Sequence, residues 1–383
     1  MVKTFQTMGR IVFGAGSLKR LGEETRRIGG RKVMVVTDPG LKNAGVLDQA
    51  TEVLAAAGLD FAVFAEVEND PRIEVALACT DAAKTFCPDV IVGLGGGSSL
   101  DIAKVSSVMM TNDGSIETYF GMELVPKPGV PLILIPTTAG TGSEMTSICV
   151  LSDTRNEVKR GIVSEHMYAR AALLDPVLTL GLPPRVTAMT GMDALVHAVE
   201  SFVGLQASIF TDALNLQAIR LVAANLRQAF SQGGNITARE NMLQASCLAG
   251  MAFSNTQNGL SHALALSIGG KHHLPHGLLT AFTIPWVMTY NLIANPAKFI
   301  QIAEAFGERT AHLPEIEAAR LSVKAVNNLL ADLGISCKLR DYGVPREEFS
   351  ALAKGTMSAA RLINNNPRKV CKEDVVAILE DNY

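Results

Sequence analysis

Asp193 and His197 are two side chains whose types and spacing could bind a metal ion. They lie four positions apart in a stretch with helical periodicity, so both side chains face the same way, one turn apart. His262 and His276 follow in two apolar stretches that are also predicted to be helical. One carboxylate and three imidazoles form a ligand set that suits Zn2+ or Fe2+. These four residues are our candidate metal ligands, although a single histidine among apolar residues is more often part of the core.

The turn Gly95-Gly96-Gly97, followed by Ser98, has residues suited to phosphate binding. It follows a predicted buried strand and opens a predicted helix, where glycines allow close backbone approach and the first N–H groups lack partners. Ser98 is predicted to cap this helix, and Asp101 to complete a capping box. The spacing matches neither the dinucleotide fingerprint nor the P-loop, so a tight strand-to-helix turn is the alternative to phosphate binding.

Two further predicted strands end in polar residues. Thr137, Thr138 and Thr141 lie in a glycine-containing loop and could donate hydrogen bonds to a phosphate or a ribose. Asp38 could accept from ribose hydroxyls and repel a 2′-phosphate, with a turn or helix-capping aspartate as the alternative. Because ligands of parallel sheets bind at the carboxyl ends of the strands, we expect these residues and the triple-glycine turn to line one nucleotide cleft.

The elements that position these groups are of two kinds. The predicted strands are 4–13, 33–36, 61–67, 89–94 and 131–135, and the helices between them are 17–28, 46–57, 74–86 and 100–110. Beyond them, the predicted helices are 185–202, 208–230, 237–252, 259–266, one starting near 276, 296–306, 314–333, 346–362 and 372–380. Alternating strands and helices indicate a parallel sheet covered on both faces. We therefore predict a Rossmann-like α/β dinucleotide-binding domain at 1–181, followed by an all-α domain at 182–383 that supplies the metal and substrate residues.

Composition excludes several classes of function. The formal net charge of -3 argues against a nucleic-acid partner. The N-terminus has no signal-peptide pattern, and we expect no membrane-spanning stretch. The six cysteines are scattered without a CxxC pair, which is typical of reduced core cysteines. We expect a cytoplasmic protein.

Taken together, these motifs resemble the iron-containing (group III) alcohol dehydrogenases. The residues that carry the resemblance are Gly95 to Ser98, Thr137-Thr138, Gly140 to Glu144, Gly191 to Leu195, His197, Glu200 and Pro275-His276-Gly277. It runs over nearly the whole chain, from Phe13-Gly14-Ala15-Gly16 to Asn366-Pro367-Arg368 and the last helix.

The resemblance implies a dehydroquinate synthase-like architecture and a ligand set of Asp193, His197, His262 and His276 for Fe2+, with Zn2+ also compatible with these donors. It implies that Gly96, Gly97 and Ser98 hold the pyrophosphate of the cofactor, and we count Gly95 and Asp101 among the candidate cofactor-binding residues. Thr137, Thr138 and Thr141 would line the cofactor cleft and Lys159 would lie near the ribose. Asp38 would favour NAD over NADP. A homodimer or larger homo-oligomer is also implied.

Two positions depart from the family pattern. Leu266 stands where the family commonly has a second histidine, four residues after the first histidine of this segment, His262. Its apolar side chain removes a candidate proton-relay group, which leaves water, a ribose hydroxyl or His272 and His273. Asp70 replaces a common family asparagine, so that cofactor contact is not expected here. Phe253 is a candidate for the pocket wall beside Leu266, with a core aromatic as the alternative.

The sequence thus predicts an NAD-dependent, metal-dependent alcohol dehydrogenase or aldehyde reductase for a small primary alcohol or aldehyde. The ion would act as a Lewis acid while hydride moves to or from nicotinamide. The alternatives are a glycerol-dehydrogenase-like polyol oxidoreductase and a non-catalytic protein that binds NAD and metal. A dehydroquinate-synthase-like lyase would need a basic cluster for a phosphorylated substrate, which the sequence does not show beside the ligands.

Overall fold

The structure is a computed structural model that describes residues 3–156 and 158–383. The chain divides into two compact units. The first is Gln6–Gly181, and the second is Leu182–Tyr383 with the described part of Met1–Phe5.

The first unit contains two sheets. Its strands are β1 Ile11–Phe13, β2 Lys32–Val36, β3 Asp60–Phe64, β4 Val90–Gly95, β5 Gly121–Met122, β6 Leu132–Pro136, β7 Ile148–Asp153, β8 Val158–Val163 and β9 Ala171–Leu174. The six-stranded sheet has the order β1-β9-β6-β4-β2-β3, and every neighbouring pair is parallel. The three-stranded sheet has the order β5-β8-β7, in which β7 and β8 are antiparallel. The parallel α/β architecture confirms the predicted fold class.

Helices link the strands of the larger sheet. They are α1 Leu21–Arg27, α2 Pro39–Asn43, α3 Val46–Ala56, α4 Ile73–Phe86 and α5 Gly97–Met109. Strand β4 is buried along its whole length, as expected for a central strand of a parallel sheet. Gly95 pairs with Pro136 at the ends of β4 and β6, and β2 lies on the other side of β4. The polar ends of these three strands therefore share one edge of the sheet.

Several local predictions in this unit are wrong. The predicted strand 4–13 is reduced to Ile11–Phe13, and the smaller sheet, β9 and α2 were not predicted. Strands β7 and β8 carry Ser, Asp, Lys and Arg among their apolar residues, which weakens the strand pattern. Helix α5 begins at Gly97 with extended Gly96 as its N-cap. Ser98 and Asp101 therefore lie inside the helix, and the predicted capping box does not form.

The second unit is helical, and its described residues contain no strand. Its helices are α6 Pro184–Val203, α7 Ile209–Ser231, α8 Ile236–Thr256, α9 Leu260–His272, α10 His276–Asn291, α11 Pro296–Ala305, α12 Glu315–Asp332, α13 Phe349–Ser358, α14 Ala360–Ile363 and α15 Lys372–Asp381. The helix predicted at 259–266 continues to His272. The prediction of one helix over 346–362 is wrong. A 3-10 turn at Arg346–Glu348 precedes α13, and Ala359 is a non-helical residue that separates α13 from α14.

Helix α6 is the centre of the second unit. It packs against α7, α8 and α10, and nearly all its residues after Thr187 are buried. The span His276–Ala294, which includes α10, is long and apolar enough to cross a membrane, contrary to the expectation from sequence. However, 72% of it is buried inside the protein, as in the core helix of a soluble protein. Its apolar character therefore reflects packing around α6.

Candidate functional site

Asp193, His262 and His276 come together in the second unit. They lie on three helices, α6, the first turn of α9 and the start of α10, and one ligand atom of each lies within 4.8 Å of the others. His276 Nε2 is 3.8 Å from Asp193 Oδ1. Gly277 permits this approach, because a Cβ at that position would lie 2.6 Å from the carbonyl oxygen of Met189 on α6. The close contact of α10 with α6 therefore depends on glycine after the histidine.

His197, the fourth predicted ligand, lies against this group one turn after Asp193. Its Nδ1 is 4.0 Å from Asp193 Oδ2, and its ring stacks on that of His262 with 4.7 Å between the centroids. Phe253 covers its opposite side, with 4.3 Å between the ring centroids. His197 is thus adjacent to the other three residues, although its nitrogens fall outside the 4.8 Å group.

Glu200 fixes the orientation of His262. Its Oε2 is 2.6 Å from His262 Nδ1, and both side chains are buried. A carboxylate only accepts hydrogen bonds, so Nδ1 carries the proton and Nε2 presents a lone pair. The Glu200 carboxylate also accepts from the backbone N–H groups of Gly259 and Ser261, at 2.9 and 2.5 Å. One acidic side chain therefore caps the start of α9 and sets the tautomer of a candidate ligand.

The Asp193 carboxylate is buried beside three imidazoles. Thr280, one turn after His276 on α10, donates a hydrogen bond of 2.9 Å to Asp193 Oδ1. Burial by itself raises the pKa of the Asp193 carboxyl. The imidazoles and the Thr280 hydroxyl outweigh burial, so its pKa lies below the ordinary value. Asp193 is therefore an anion, which is the form that binds a cation.

These residues fit a divalent metal ion. The Nε2 atom of His262 is buried, and the described residues give it no hydrogen-bond partner. A buried polar atom without a partner is costly, and a cation shared with Asp193 and His276 would satisfy it. The donor set of carboxylate and imidazole agrees with this interpretation. Sequence reasoning missed how Glu200 and Thr280 act here, although the spacing of Thr280 from His276 was a usable signal.

The triple-glycine turn meets the threonine loop in the first unit. Gly95 has φ +153°, and a Cβ there would lie 2.6 Å from the Ser99 side chain, so a larger residue does not fit. A Cβ on Gly97 would lie 2.9 Å from Thr141 Cγ2, and Thr138 lies beside Gly96. The structure thus brings together the two predicted loops at the start of α5.

Asp38 borders the same turn. Its Oδ1 accepts a hydrogen bond of 3.0 Å from Leu41 N, which caps α2, so the capping alternative is correct for this oxygen. Its Oδ2 lies 3.5 Å from Ser99 Oγ. The carboxylate therefore faces both a helix end and the turn that follows β4.

The other predicted cofactor residues have protein partners. Thr137 is buried, and its N–H donates to Gly95 O at 3.0 Å. Both oxygens of Asp101 accept hydrogen bonds, from Ser143 Oγ at 2.6 Å and from Val150 N at 2.9 Å, and buried Lys104 lies 3.1 Å away. These hydrogen bonds connect α5 to the loop after β6 and to β7.

Lys159 on β8 has an acidic partner. Its Nζ is 2.6 Å from Asp70 Oδ1. The structure therefore gives the Lys159 ammonium a protein carboxylate as its contact.

Leu266 and His272 both lie on α9, after His262. Leu266 lies one turn after His262 on the same helix face and is 37% exposed, unlike the neighbouring core leucines. His272 Nε2 is 2.7 Å from Glu348 Oε2, and Lys271 pairs with the same carboxylate at 2.8 Å. His272 therefore has a structural partner at the end of the helix.

Two family models match the chain. The model described as iron-containing alcohol dehydrogenase matches residues 9–176. The model described as Fe-containing alcohol dehydrogenase family, C-terminal, matches residues 187–383. Together they cover both units.

Individual relatives match over nearly their full length. A sulfoacetaldehyde reductase of Bilophila wadsworthia (strain 3_1_6) is 48% identical over 379 residues, which is 98% of each chain. A crystal structure of 1,3-propanediol oxidoreductase matches with a TM-score of 0.98 and 39% identity, covering 100% of both chains. The structure of sulfoacetaldehyde reductase from Bifidobacterium kashiwanohense in complex with NAD+ matches with a TM-score of 0.91 and 27% identity, covering 100% of this chain and 99% of that one.

Proposed function

The chain belongs to the iron-containing alcohol dehydrogenase family, and from this premise we propose that Asp193, His197, His262 and His276 hold the metal with which it interconverts a small primary alcohol and its aldehyde. The family and the relatives make it an NAD-dependent oxidoreductase. The observation that carries the ligand proposal is the buried Nε2 of His262, which has no protein partner among the described residues while Glu200 holds Nδ1.

Each residue of the proposed centre has a distinct task. When bound, the divalent ion supplies a Lewis acid for the substrate oxygen, and NAD(H) carries the hydride. Asp193 provides the negative charge, with Thr280 fixing one of its oxygens at 2.9 Å. Glu200 keeps the proton of His262 on Nδ1, so that Nε2 stays free to bind the ion. Phe253 holds the ring plane of His197 and keeps water from that side.

For the cofactor, we propose that the N–H groups at the start of α5, with Ser98, Thr138 and Thr141, hold the pyrophosphate of NAD. The support is that Gly96 and Gly97 leave the helix start open, with no side chain capping it. Asp38 would accept from the ribose through Oδ2, since Oδ1 caps α2. Asp101 and Lys159, whose polar atoms have protein partners, would act by positioning the neighbouring loop and strand.

The substrate is a short aldehyde or the matching alcohol. The Bilophila relative is named sulfoacetaldehyde reductase, so sulfoacetaldehyde is the first substrate to test. The second is 1,3-propanediol, the neutral C3 alcohol in the name of other relatives. We propose that the enzyme is cytoplasmic and a homo-oligomer. Support for self-association comes from Ile209 and Phe210, which are 80% and 64% exposed at the start of α7.

The test is an NADH-oxidation screen over C2–C6 aldehydes with protein purified without oxygen. We expect turnover with at least one aldehyde, loss of turnover on chelation and recovery when Fe2+ is added. The rival function, a non-catalytic protein that binds NAD and metal, predicts binding of both without turnover of any aldehyde or alcohol. Turnover that survives complete metal removal would contradict the proposed role of the centre.

A further inference from the structure

Arg361 on α14 is a cation with no partner among the described residues. Its side chain is exposed, and within residues 3–156 and 158–383 it makes no hydrogen bond or ion pair. Burial nevertheless lowers the pKa of its guanidinium, so surrounding protein crowds a group that solvent still reaches. Arg239, whose pKa burial also lowers, instead bonds to Thr187 Oγ1 at 2.7 Å and to Gly233 O at 2.9 Å. Arg239 is buried and its donors are used within the protein, whereas the exposed guanidinium of Arg361 keeps its donors available to an anion.

The segment that carries Arg361 runs alongside the part of α9 that carries His262, a proposed metal ligand. Before it, Gly355 contacts Ser267, whose hydroxyl donates to Leu352 O at 2.8 Å. After it, Asn365 Nδ2 donates to Asn258 O at 3.0 Å. The chain from 355 to 365 therefore passes along α9 from position 267 back to position 258, and α14 packs on α9. His262 and Leu266 lie within that stretch.

Apolar surface lies on the stretch of α9 beside Arg361. Leu266 is 37% exposed and stands one turn from His262. Lys271 and His272, at the end of α9, already share the Glu348 carboxylate. A guanidinium can bind two oxygens of a sulfonate or a carboxylate side by side. A short carbon chain ending in such an oxyanion matches this arrangement.

We propose that Arg361 is a specificity-determining residue that binds the anionic end of a short aldehyde, a sulfonate or a carboxylate, whose carbonyl lies at the Asp193–His262–His276 centre. This inference rests on the proposed reductase function. It adds a substrate class, aldehydes with a terminal oxyanion, and assigns the residue that recognises them. Arg361 does not act on the reacting carbon, so its loss should change the choice of substrate more than the hydride transfer itself.

The first test compares matched aldehydes. Sulfoacetaldehyde is paired with propanal, and succinic semialdehyde with butanal, so that each pair differs in the terminal group. For Arg361→Met we expect the kcat/KM ratio of the anionic to the neutral aldehyde to fall by about 10- to 100-fold, as for loss of a charge-assisted hydrogen bond. Arg361→Lys keeps the charge without the paired donors and should retain part of the ratio.

The control is Arg220→Met, an exposed arginine on the surface of α7, which should leave the ratio at the wild-type value. The pair with the larger ratio change identifies sulfonate or carboxylate as the preferred anion. An equal loss of kcat/KM for anionic and neutral aldehydes in both Arg361 variants, or an unchanged ratio, overturns the proposal. Melting temperatures of all variants identify any loss that comes from misfolding.

A binding measurement separates this proposal from the proposed function. Calorimetric titration of the enzyme–NADH complex with 2-hydroxyethanesulfonate, the alcohol formed from sulfoacetaldehyde, should show binding that Arg361→Met weakens by a similar factor, because NADH cannot accept a hydride from this alcohol. Wild-type enzyme that reduces propanal but neither binds this sulfonate nor favours either anionic aldehyde contradicts the role of Arg361 and leaves the reductase function intact. Sulfonate binding that depends on Arg361, in an enzyme that reduces no aldehyde, supports the anion site and contradicts the reductase function.

Discussion

The Glu200 carboxylate lies 2.6 Å from the Nδ1 atom of His262, and both side chains are buried. This contact directs the Nε2 atom of His262 to the point that Asp193 and His276 also approach. The same carboxylate caps the first turn of α9. The orientation of the candidate ligand and the start of its helix therefore depend on one residue.

Replacing Glu200 should weaken metal binding without removing a ligand. For Glu200→Gln we expect the affinity for Fe2+ or Zn2+ to fall about 10- to 100-fold, because the amide no longer holds the Nδ1 proton as a carboxylate does. Competition with a chelator of known affinity measures this change. Glu240→Gln, on α8, is the control and should match wild type. An unchanged affinity in Glu200→Gln would show that the contact with His262 serves the fold alone.

Replacing Leu266 tests whether its side chain faces the substrate. For Leu266→Ala we expect kcat/KM for hexanal to fall about 3- to 10-fold more than for acetaldehyde, because longer apolar chains lose more contact area. Stability should change little, since the side chain is already 37% exposed. Leu313→Ala, with 41% exposure, is the matched control. Equal effects on both aldehydes would place Leu266 outside the pocket.

Asp38 should determine the preference between NAD and NADP. For Asp38→Ser we expect the kcat/KM ratio of NADPH to NADH to rise by about tenfold or more, because the negative charge near the 2′ position is removed. Serine can still cap α2, so the effect is separated from loss of the bond between Oδ1 and Leu41 N. Steady-state kinetics with both cofactors give the ratio, and Asp48→Ser is the control. A ratio that does not move would exclude Asp38 from the cofactor site.

Glu144 should make the stability of the first unit depend on pH. Burial raises the pKa of its carboxyl to about 7 from 4.5, while Lys104 lowers it in part. The folded state therefore holds this proton more tightly than the unfolded chain, and the resulting stabilisation, complete below pH 4.5, is lost as pH rises to 7. The difference amounts to about 3 kcal/mol, at about 1.36 kcal/mol per pKa unit.

The Glu144→Gln variant has no carboxyl to ionise at this position, so its stability should not fall for this reason as pH rises. We expect its melting temperature relative to wild type to rise between pH 5 and pH 8, measured by thermal unfolding in buffers of equal ionic strength. Glu52→Gln, an exposed position on α3, should follow wild type at every pH. A Glu144→Gln curve parallel to wild type would mean that the buried carboxyl stays neutral, or finds a partner, throughout this range.

Local sequence patterns predicted those parts of the site that lie within one element. The spacing of Asp193 and His197 specifies a shared helix face, and three glycines after a buried run indicate a strand-to-helix turn. The contact between Glu200 and His262 joins residues 62 positions apart, and no local pattern encodes it. The capping prediction for Ser98 was wrong because Gly96 adopts the extended N-cap conformation first. The interruption of the helix at Ala359, just before Arg361, was also not predicted, because neither neighbour of Ala359 is a proline or a glycine.

The metal content of purified variants tests the proposed centre most directly. We expect about one metal ion per chain in the wild-type protein and in His312→Asn, an exposed control position, when both are purified without oxygen. Asp193→Ala and His276→Ala should contain far less metal and show no aldehyde-dependent oxidation of NADH, while their far-UV circular dichroism stays that of the wild type. Full metal content and wild-type turnover in both variants would contradict the assignment of these residues as ligands.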